Sequence, residues 1–274
     1  AAQVALIHRV PIAHIHGGEV TEGAFDDAIR HSVTKMSSLH FTSCEEYRHR
    51  VIQMGEQPSR VFDVGSLGVE NIKAVPLMTK DELEASLDFK IDTQTILVTY
   101  HPVTLGGNPA KDIREFLDAL DQFKDLKVIF TMPNSDTGRD AIALAVENYV
   151  EKHSDRAKAY TSLGLKRYLS TLQFVKAAVG NSSSGIIEVP SFGIPTLNIG
   201  DRQKGRLASK SVVNCGTSKN EVIAGLKLCL SEEMQKAAKT YENPYAKPDT
   251  ANLIYQELKN VELAGLNLKT FYDL

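Results

Sequence analysis

Four stretches of the chain gather residue types that move protons or hold anions. The first is AHIHGGEVTEGAFDDAIRHS, residues 13–32. His14 and His16 stand two apart, a Gly-Gly pair follows, and Glu19, Asp26, Asp27, Arg30 and His31 come soon after. Alternate residues of a strand share a face, so the two histidines should point the same way. Titratable groups at this density suit acid/base chemistry. An HxH pair with carboxylates would equally suit a divalent metal, and Asp26 alone would serve as a helix cap.

The second stretch pairs TYHPVT (99–104) with MPNSDTG (132–138), each closing an apolar run. His101, held before a proline at a strand end, could meet a phosphate or transfer a proton. Asn134 and Asp136 could bind a sugar or a base. The third is GNSSSGIIEVPSFGIP, residues 180–195. Small residues leading into a helix leave backbone N–H groups bare for phosphate. Ser182, Ser183 and Ser184 add hydroxyl donors, and Glu188, one turn further, sits at a depth that suits a ribose diol. A serine-capped helix without ligand is the plainer reading. The fourth is NIGDRQKGR, 198–206, where Arg202, Lys204 and Arg206 fall within five residues. An arginine there could clamp phosphate oxygens bidentately; otherwise the run is a solvated basic turn.

Elements must hold these groups in place. Short apolar runs ending in Gly, Pro or Ser alternate with segments of helical period. Strands are expected in 10–18, 39–43, 61–66, 95–102, 126–134, 158–162, 177–184, 195–200 and 211–216. Helices are expected over 26–38, 44–55, 78–88, 109–124, 138–152, 166–176, 185–191 and 218–230, with the first residues reading as the end of a helix. Nearly continuous apolar strands argue for parallel sheets covered on both faces. In such sheets ligands sit beyond the carboxyl ends of the strands, where all four polar stretches fall. Apolar β runs stop over 70–93 and charged residues take over, which marks the boundary. The expected partition is 1–75, 76–248, and an amphipathic tail over 249–274 that packs back on the body.

Composition excludes several classes. Of 274 residues, 42% are hydrophobic and 24% charged, as in ordinary globular proteins and unlike disordered, collagenous or disulfide-rich chains. A net charge of −3 gives no electrostatic footprint for nucleic acid. No apolar run approaches the ~18–20 residues of a membrane span. Cys44, Cys215 and Cys229 are far apart and lack CxxC spacing, which fits a reducing, cytoplasmic compartment. The chain opens without Met on a helix-to-strand passage, so a piece of a longer chain is expected.

HGGEVTEGAFDDAIRHSVTKMS, VIQMGE with VFDVGS, HPVT, PNSDTG and GNSSSGIIEVPSFGIPTLNIGDRQKGR, in this order, resemble the hydrolysing UDP-N-acetylglucosamine 2-epimerases, particularly their sialic-acid and nonulosonic-acid branch. The resemblance implies a GT-B-like α/β architecture: two Rossmann-like doubly wound domains, the first incomplete here, with a nucleotide sugar in the cleft between them. It implies elimination of the nucleotide to a glycal, then hydration with inversion at C2, giving N-acetylmannosamine and UDP. Neither NAD nor an obligatory metal is implied, and family members are commonly homodimers or homotetramers.

Carried over by motif, Asp26 resembles a catalytic carboxylate, with Glu19 and His16 in the same acid/base set. His101 lies at the diphosphate and reacting centre. Asn134, Ser182, Ser183, Glu188 and Arg202 resemble nucleotide and diphosphate ligands, and Tyr168 packs against uracil or fills the core. His16 stands where the family has a carboxylate, in the pattern HIEGGE, which points to a different sugar such as a 2,4-diacetamido-trideoxy hexose. Two family motifs, a GTR-like phosphate loop and a GDR, would precede residue 1, so the 274 residues are expected not to be fully active. The rival readings are a GT-B glycosyltransferase, a nucleotide-sugar-binding fragment without turnover, and an HxH metal hydrolase on a (β/α)8 barrel, for which too few βα units are present.

Overall fold

The computed structural model describes residues 1–22, 24–103, 107–134 and 138–274. Asp136, and Thr104 of the HPVT motif, lie outside the described residues. In chain order the first elements are α1 (Ala2–Ile7), β1 (Ala13–Ile15), α2 (Asp26–Met36), β2 (Leu39–Thr42), α3 (Glu45–Gln53), β3 (Val61–Asp63) and α4 (Leu67–Ala74). Then come α5 (Lys80–Leu87), β4 (Thr95–Thr99), α6 (Pro109–Leu120), β5 (Lys127–Thr131), α7 (Arg139–Lys152), β6 (Ala157–Tyr160), α8 (Gly164–Leu172) and β7 (Ala177–Gly180). The last are α9 (Ser184–Ile187), β8 (Thr196–Ile199), β9 (Val212–Cys215), α10 (Lys219–Leu230), α11 (Glu232–Ala238) and α12 (Thr250–Asn260). Every described strand pair is parallel. No described helix is long and apolar enough to cross a membrane.

Contacts divide the chain into two units, one of residues 1–21, 25–73 and 244–274, the other of 22–24 and 74–243. The first holds a sheet of order β1-β2-β3. β2 is buried along its length, and Leu39 and Phe41 pack with Val64, Ile254 and Leu266. The chain's last segment is tied into this unit by polar bonds as well. The Tyr47 and Tyr245 hydroxyls lie 2.8 Å apart, and Thr250 Oγ1 donates to the Val64 carbonyl at 2.8 Å. Lys247 pairs with Asp63.

The second unit holds six strands in the order β6-β5-β4-β7-β8-β9, the doubly wound pattern that reverses direction between β4 and β7. Local chemistry shapes its elements. Asn108 accepts the Lys111 N–H, and Pro109 opens α6 where a missing N–H costs nothing. Ile113, Phe116, Leu117 and Leu120 recur at helical spacing and are buried against β4 and β5. Thr79 with Glu82, and Ser218 with Glu221, form capping boxes on α5 and α10.

Three details depart from the expectations. β1 ends at Ile15, and His16 has φ +64°. The two-residue period stops with the strand, so His14 and His16 do not form a same-face pair. α4 and α11 were unforeseen: α4 lies in the charged stretch assigned to a boundary, and α11 buries only Ala238, so neither shows an apolar stripe. The helix expected over 185–191 is the single turn α9 followed by a 3-10 turn at Val189–Phe192, too short for a strong macrodipole.

Candidate active site

The reversal between β4 and β7 opens the sheet at its carboxyl edge, and the chain is drawn tight there. Gly180 has φ +133°, and a Cβ on it would collide with the Thr99 carbonyl. Only glycine permits that approach. One residue later the chains lock together. The His101 N–H donates to Asn181 Oδ1 at 2.7 Å, and Asn181 Nδ2 donates to the His101 carbonyl at 2.8 Å. The Asn134 N–H donates to His101 Nδ1 at 3.1 Å. A ring nitrogen that accepts carries no proton, so neutral His101 bears its hydrogen on Nε2.

From the next strand end, Arg202 Nη1 donates to the Asn181 carbonyl at 3.2 Å, and Gln203 Nε2 reaches the same oxygen at 2.9 Å. Between them lies the serine loop. The backbone N–H groups of Ser182 and Ser183 donate to no acceptor among the described residues, which is how an anion-binding loop is prepared. The Tyr168 hydroxyl donates to Ser184 Oγ at 2.6 Å. Burial, opposed by that bond and aided by nearby Glu188, pushes its phenol above the ordinary tyrosine range, so it stays a donor. Glu188 follows α9 and is half-buried. His101, Asn134, Ser182, Ser183 and Arg202 are therefore brought together at neighbouring strand ends, directly or through Asn181. Asn134 contributes its backbone N–H to the His101 contact.

The first unit carries a separate polar cluster. His16 Nδ1 lies 2.8 Å from Glu19 Oε1, and Glu19 is only 3% exposed. Ser43 Oγ donates to the same oxygen at 3.2 Å. Arg30 Nη1 donates to the Glu19 carbonyl at 3.2 Å and to Thr21 Oγ1 at 3.1 Å. The Thr21 N–H donates to Asp27 Oδ1 at 2.8 Å, and Asp27 also lies 3.4 Å from His31. Asp26 opens α2 in an exposed position. Helical phase thus sends Asp27 into the network and its neighbour outward. His14 turns to α2, with Nδ1 at 3.2 Å from Thr34 Oγ1. Burial first, then repulsion of a second positive charge beside His40 and Arg30, lowers it to about 4. It is a neutral packing histidine. No group of three or more His, Cys, Asp or Glu is arranged to hold a metal ion among the described residues.

Sequence reasoning passed over Asn181 and Gln203. The usable signal for Asn181 was its place: the first residue after a strand that ends on glycine at the point of reversal.

Residues 1–259 match the UDP-N-acetylglucosamine 2-epimerase family model. The chain is 42% identical over 275 positions to the GDP/UDP-N,N'-diacetylbacillosamine 2-epimerase (hydrolyzing) of Campylobacter jejuni, covering all of this chain and 71% of that protein. This chain belongs to the UDP-N-acetylglucosamine 2-epimerase family. It is also 39% identical to the polysialic acid biosynthesis protein P7 of Escherichia coli, over all of this chain and 70% of that one. Among solved structures, S. aureus MnaA with UDP superposes with a TM-score of 0.79 at 19% identity, covering 100% of this chain and 73% of that one. The Neisseria meningitidis UDP-GlcNAc 2-epimerase bound to UDP-GlcNAc also scores 0.79, at 17% identity, with 95% and 73% covered. At those identities the likeness is one of fold, and it is the GT-B-like α/β fold.

Proposed function

We propose that the chain works as a hydrolysing 2-epimerase on a 2-acetamido sugar linked through diphosphate to a nucleotide, with a UDP-linked 2,4-diacetamido-trideoxy sugar as its substrate. The observation that carries the reaction is the gathering of His101, the Ser182–Ser183 amides and Arg202 where the second sheet reverses, the place at which α/β sheets bind phosphorylated ligands. Two further observations support the choice of sugar. The Campylobacter jejuni relative is named for N,N'-diacetylbacillosamine, and His16 stands where the family resemblance expects a carboxylate.

The reaction needs a base at C2 and stabilised negative charge on the departing diphosphate. His16 gives its Nδ1 side to buried Glu19, which places the lone pair of the neutral ring on Nε2. That is the arrangement of a base oriented by a carboxylate, and it takes the C2 proton or shares that task with Asp26. His101 has the opposite tautomer. Its Nε2–H, with Arg202 and the serine amides, stabilises the oxygen released as the C1–O bond breaks. The electrons of the C2–H bond form the C1–C2 double bond of the glycal. Water then adds its hydroxyl to C1, and a proton returns to C2 from the other face. UDP and the free 2-epimer result, one of each per water consumed. Tyr168 and Glu188 border the serine loop on the nucleoside side. We also assign the enzyme to the cytoplasm, where nucleotide sugars and its free thiols belong, and to a homo-oligomer.

The test is direct. The chain, expressed with any coding sequence that precedes residue 1, is incubated without acceptor with UDP-N,N'-diacetylbacillosamine and with UDP-N-acetylglucosamine. Equal release of UDP and free 2-epimer is expected, fastest with the diacetamido sugar, and in heavy water the product carries deuterium at C2. Sugar transfer that requires an acceptor, or release without inversion, would overturn the reaction. Faster turnover of UDP-N-acetylglucosamine would overturn the choice of sugar.

A further inference from the structure

Asn181 has no exposed surface, carries no charge, and has no part in the chemistry just described. Yet it meets three residues at these strand ends, His101, Arg202 and Gln203. Its amide oxygen takes the His101 N–H, its amide nitrogen gives to the His101 carbonyl, and its own carbonyl collects Arg202 and Gln203. We propose that Asn181 is the positioning residue of the diphosphate site, and that the imidazole of His101 and the guanidinium of Arg202 stand where they do because this one side chain and its carbonyl hold them. The inference rests on the nucleotide-sugar reading above and adds a dependence between two of its ligands.

Several observations make the role specific. A backbone N–H demands an acceptor and a backbone carbonyl demands a donor, so the orientation of the amide is fixed by its partners. No other side chain of this size offers both. Aspartate would set a carboxylate against the His101 carbonyl and add negative charge beside a diphosphate. Alanine would remove the side-chain partner of both part-buried backbone groups of His101. The preceding Gly180 removes freedom from the other side, because the chain there runs against the Thr99 carbonyl. With the His101 backbone clamped, its ring meets the Asn134 N–H and is kept in the Nε2–H form. Release of the clamp therefore moves the ring and frees its tautomer together. Misplacement of about 1 Å costs ~100-fold in catalysed rates.

UDP and GDP binding to the full chain are measured by calorimetry for wild type, Asn181→Ala, Asn181→Asp, Arg202→Ala and the Asn181→Ala/Arg202→Ala double variant. Each Asn181 variant should bind UDP at least tenfold more weakly. The double variant should lose clearly less than the product of the two single losses, because residues in one network do not lose affinity additively. Unchanged affinity in the folded single variants, or losses that multiply in the double variant, overturns the proposal. Nitrogen NMR of the His101 ring supplies a readout that needs no ligand. Wild type should show Nε2–H, and the Asn181 variants a mixture of tautomers. An Nδ1–H ring in wild type, or a tautomer unmoved by Asn181→Asp, also overturns it. Wild type that binds neither nucleotide would refute the functional reading instead, and the ring spectrum would still judge Asn181.

Discussion

Arg202 reaches from the loop after β8 to the loop after β7, so removing it deletes a charged ligand and one bond to Asn181. Arg202→Ala should weaken UDP binding more than tenfold, measured by calorimetry, since charge-assisted bonds to phosphate are the strong ones. Asp26 and Asp27 separate by a different test. Asp26→Asn should leave UDP affinity intact and abolish turnover; if turnover persists, Asp26 is only a first-turn acid of α2. Asp27→Asn keeps an acceptor for the Thr21 N–H but gives up its charge toward Arg30 and His31. It should therefore slow turnover by less. At this scale the legible residues were those whose type speaks for itself at a strand end: His101, Arg202 and the serines. Asn181 was silent because a buried, uncharged amide is defined by what it touches. His16 was misplaced because strand alternation holds only while the strand lasts, and the chain turns left-handed at that residue.

Between elements of the first unit, the critical tie is Glu56, which follows α3. It accepts from Lys35 of α2 at 2.6 Å, lies 3.0 Å from His40 Nε2 of β2, and takes Lys269 of the last segment at 2.7 Å. Burial alone would raise its carboxyl, but bonds from His40, Lys269 and Lys35 outweigh that and bring it down to about 2. A depressed acid stabilises the fold above its unfolded value near 4.5 and loses that contribution as pH falls toward 2. His14 acts in a higher window. Folded it titrates at about 4 against 6.5 unfolded, so the unfolded chain takes the extra proton and stability drops as pH falls from 6.5 toward 4. Urea unfolding at stepped pH should show both phases, the upper one weakened in His14→Gln, with buried His40 carrying the rest, and the lower one weakened in Glu56→Gln. At neutral pH Glu56→Gln should cost about 2 kcal/mol, below the ~3–5 of a fully buried pair, because Lys35 is 43% exposed. The helices that escaped the sequence, α4 and α11, are those with little to bury; those with a full apolar stripe, α6 above all, were plain.

For the whole molecule, two parallel sheets followed from alternation alone, because apolar runs of strand length between helices leave few other arrangements. Alternation could not order the six strands; that took the structure, and the order decides which strand ends face one another. UDP at a hundredfold excess over its Kd should add about 2.7 kcal/mol of stability. Hydrogen exchange should place the new protection in 99–103, 180–188 and 198–206, and protection elsewhere would move the site. The division into units has a consequence for synthesis. The second unit is a continuous run, residues 74–243, apart from three earlier residues, whereas the first is interrupted by it. As the chain leaves the ribosome, β1, β2 and β3 emerge before the second unit, but Ile254 and Leu266, which cover Leu39, Phe41 and Val64, emerge after it. At ~5–20 residues per second the early sheet waits roughly ten to forty seconds for its cover. During that interval its apolar face is open to chaperones or to a neighbouring nascent chain, and Tyr245, Lys247 and Thr250 close it only after the second unit has been made.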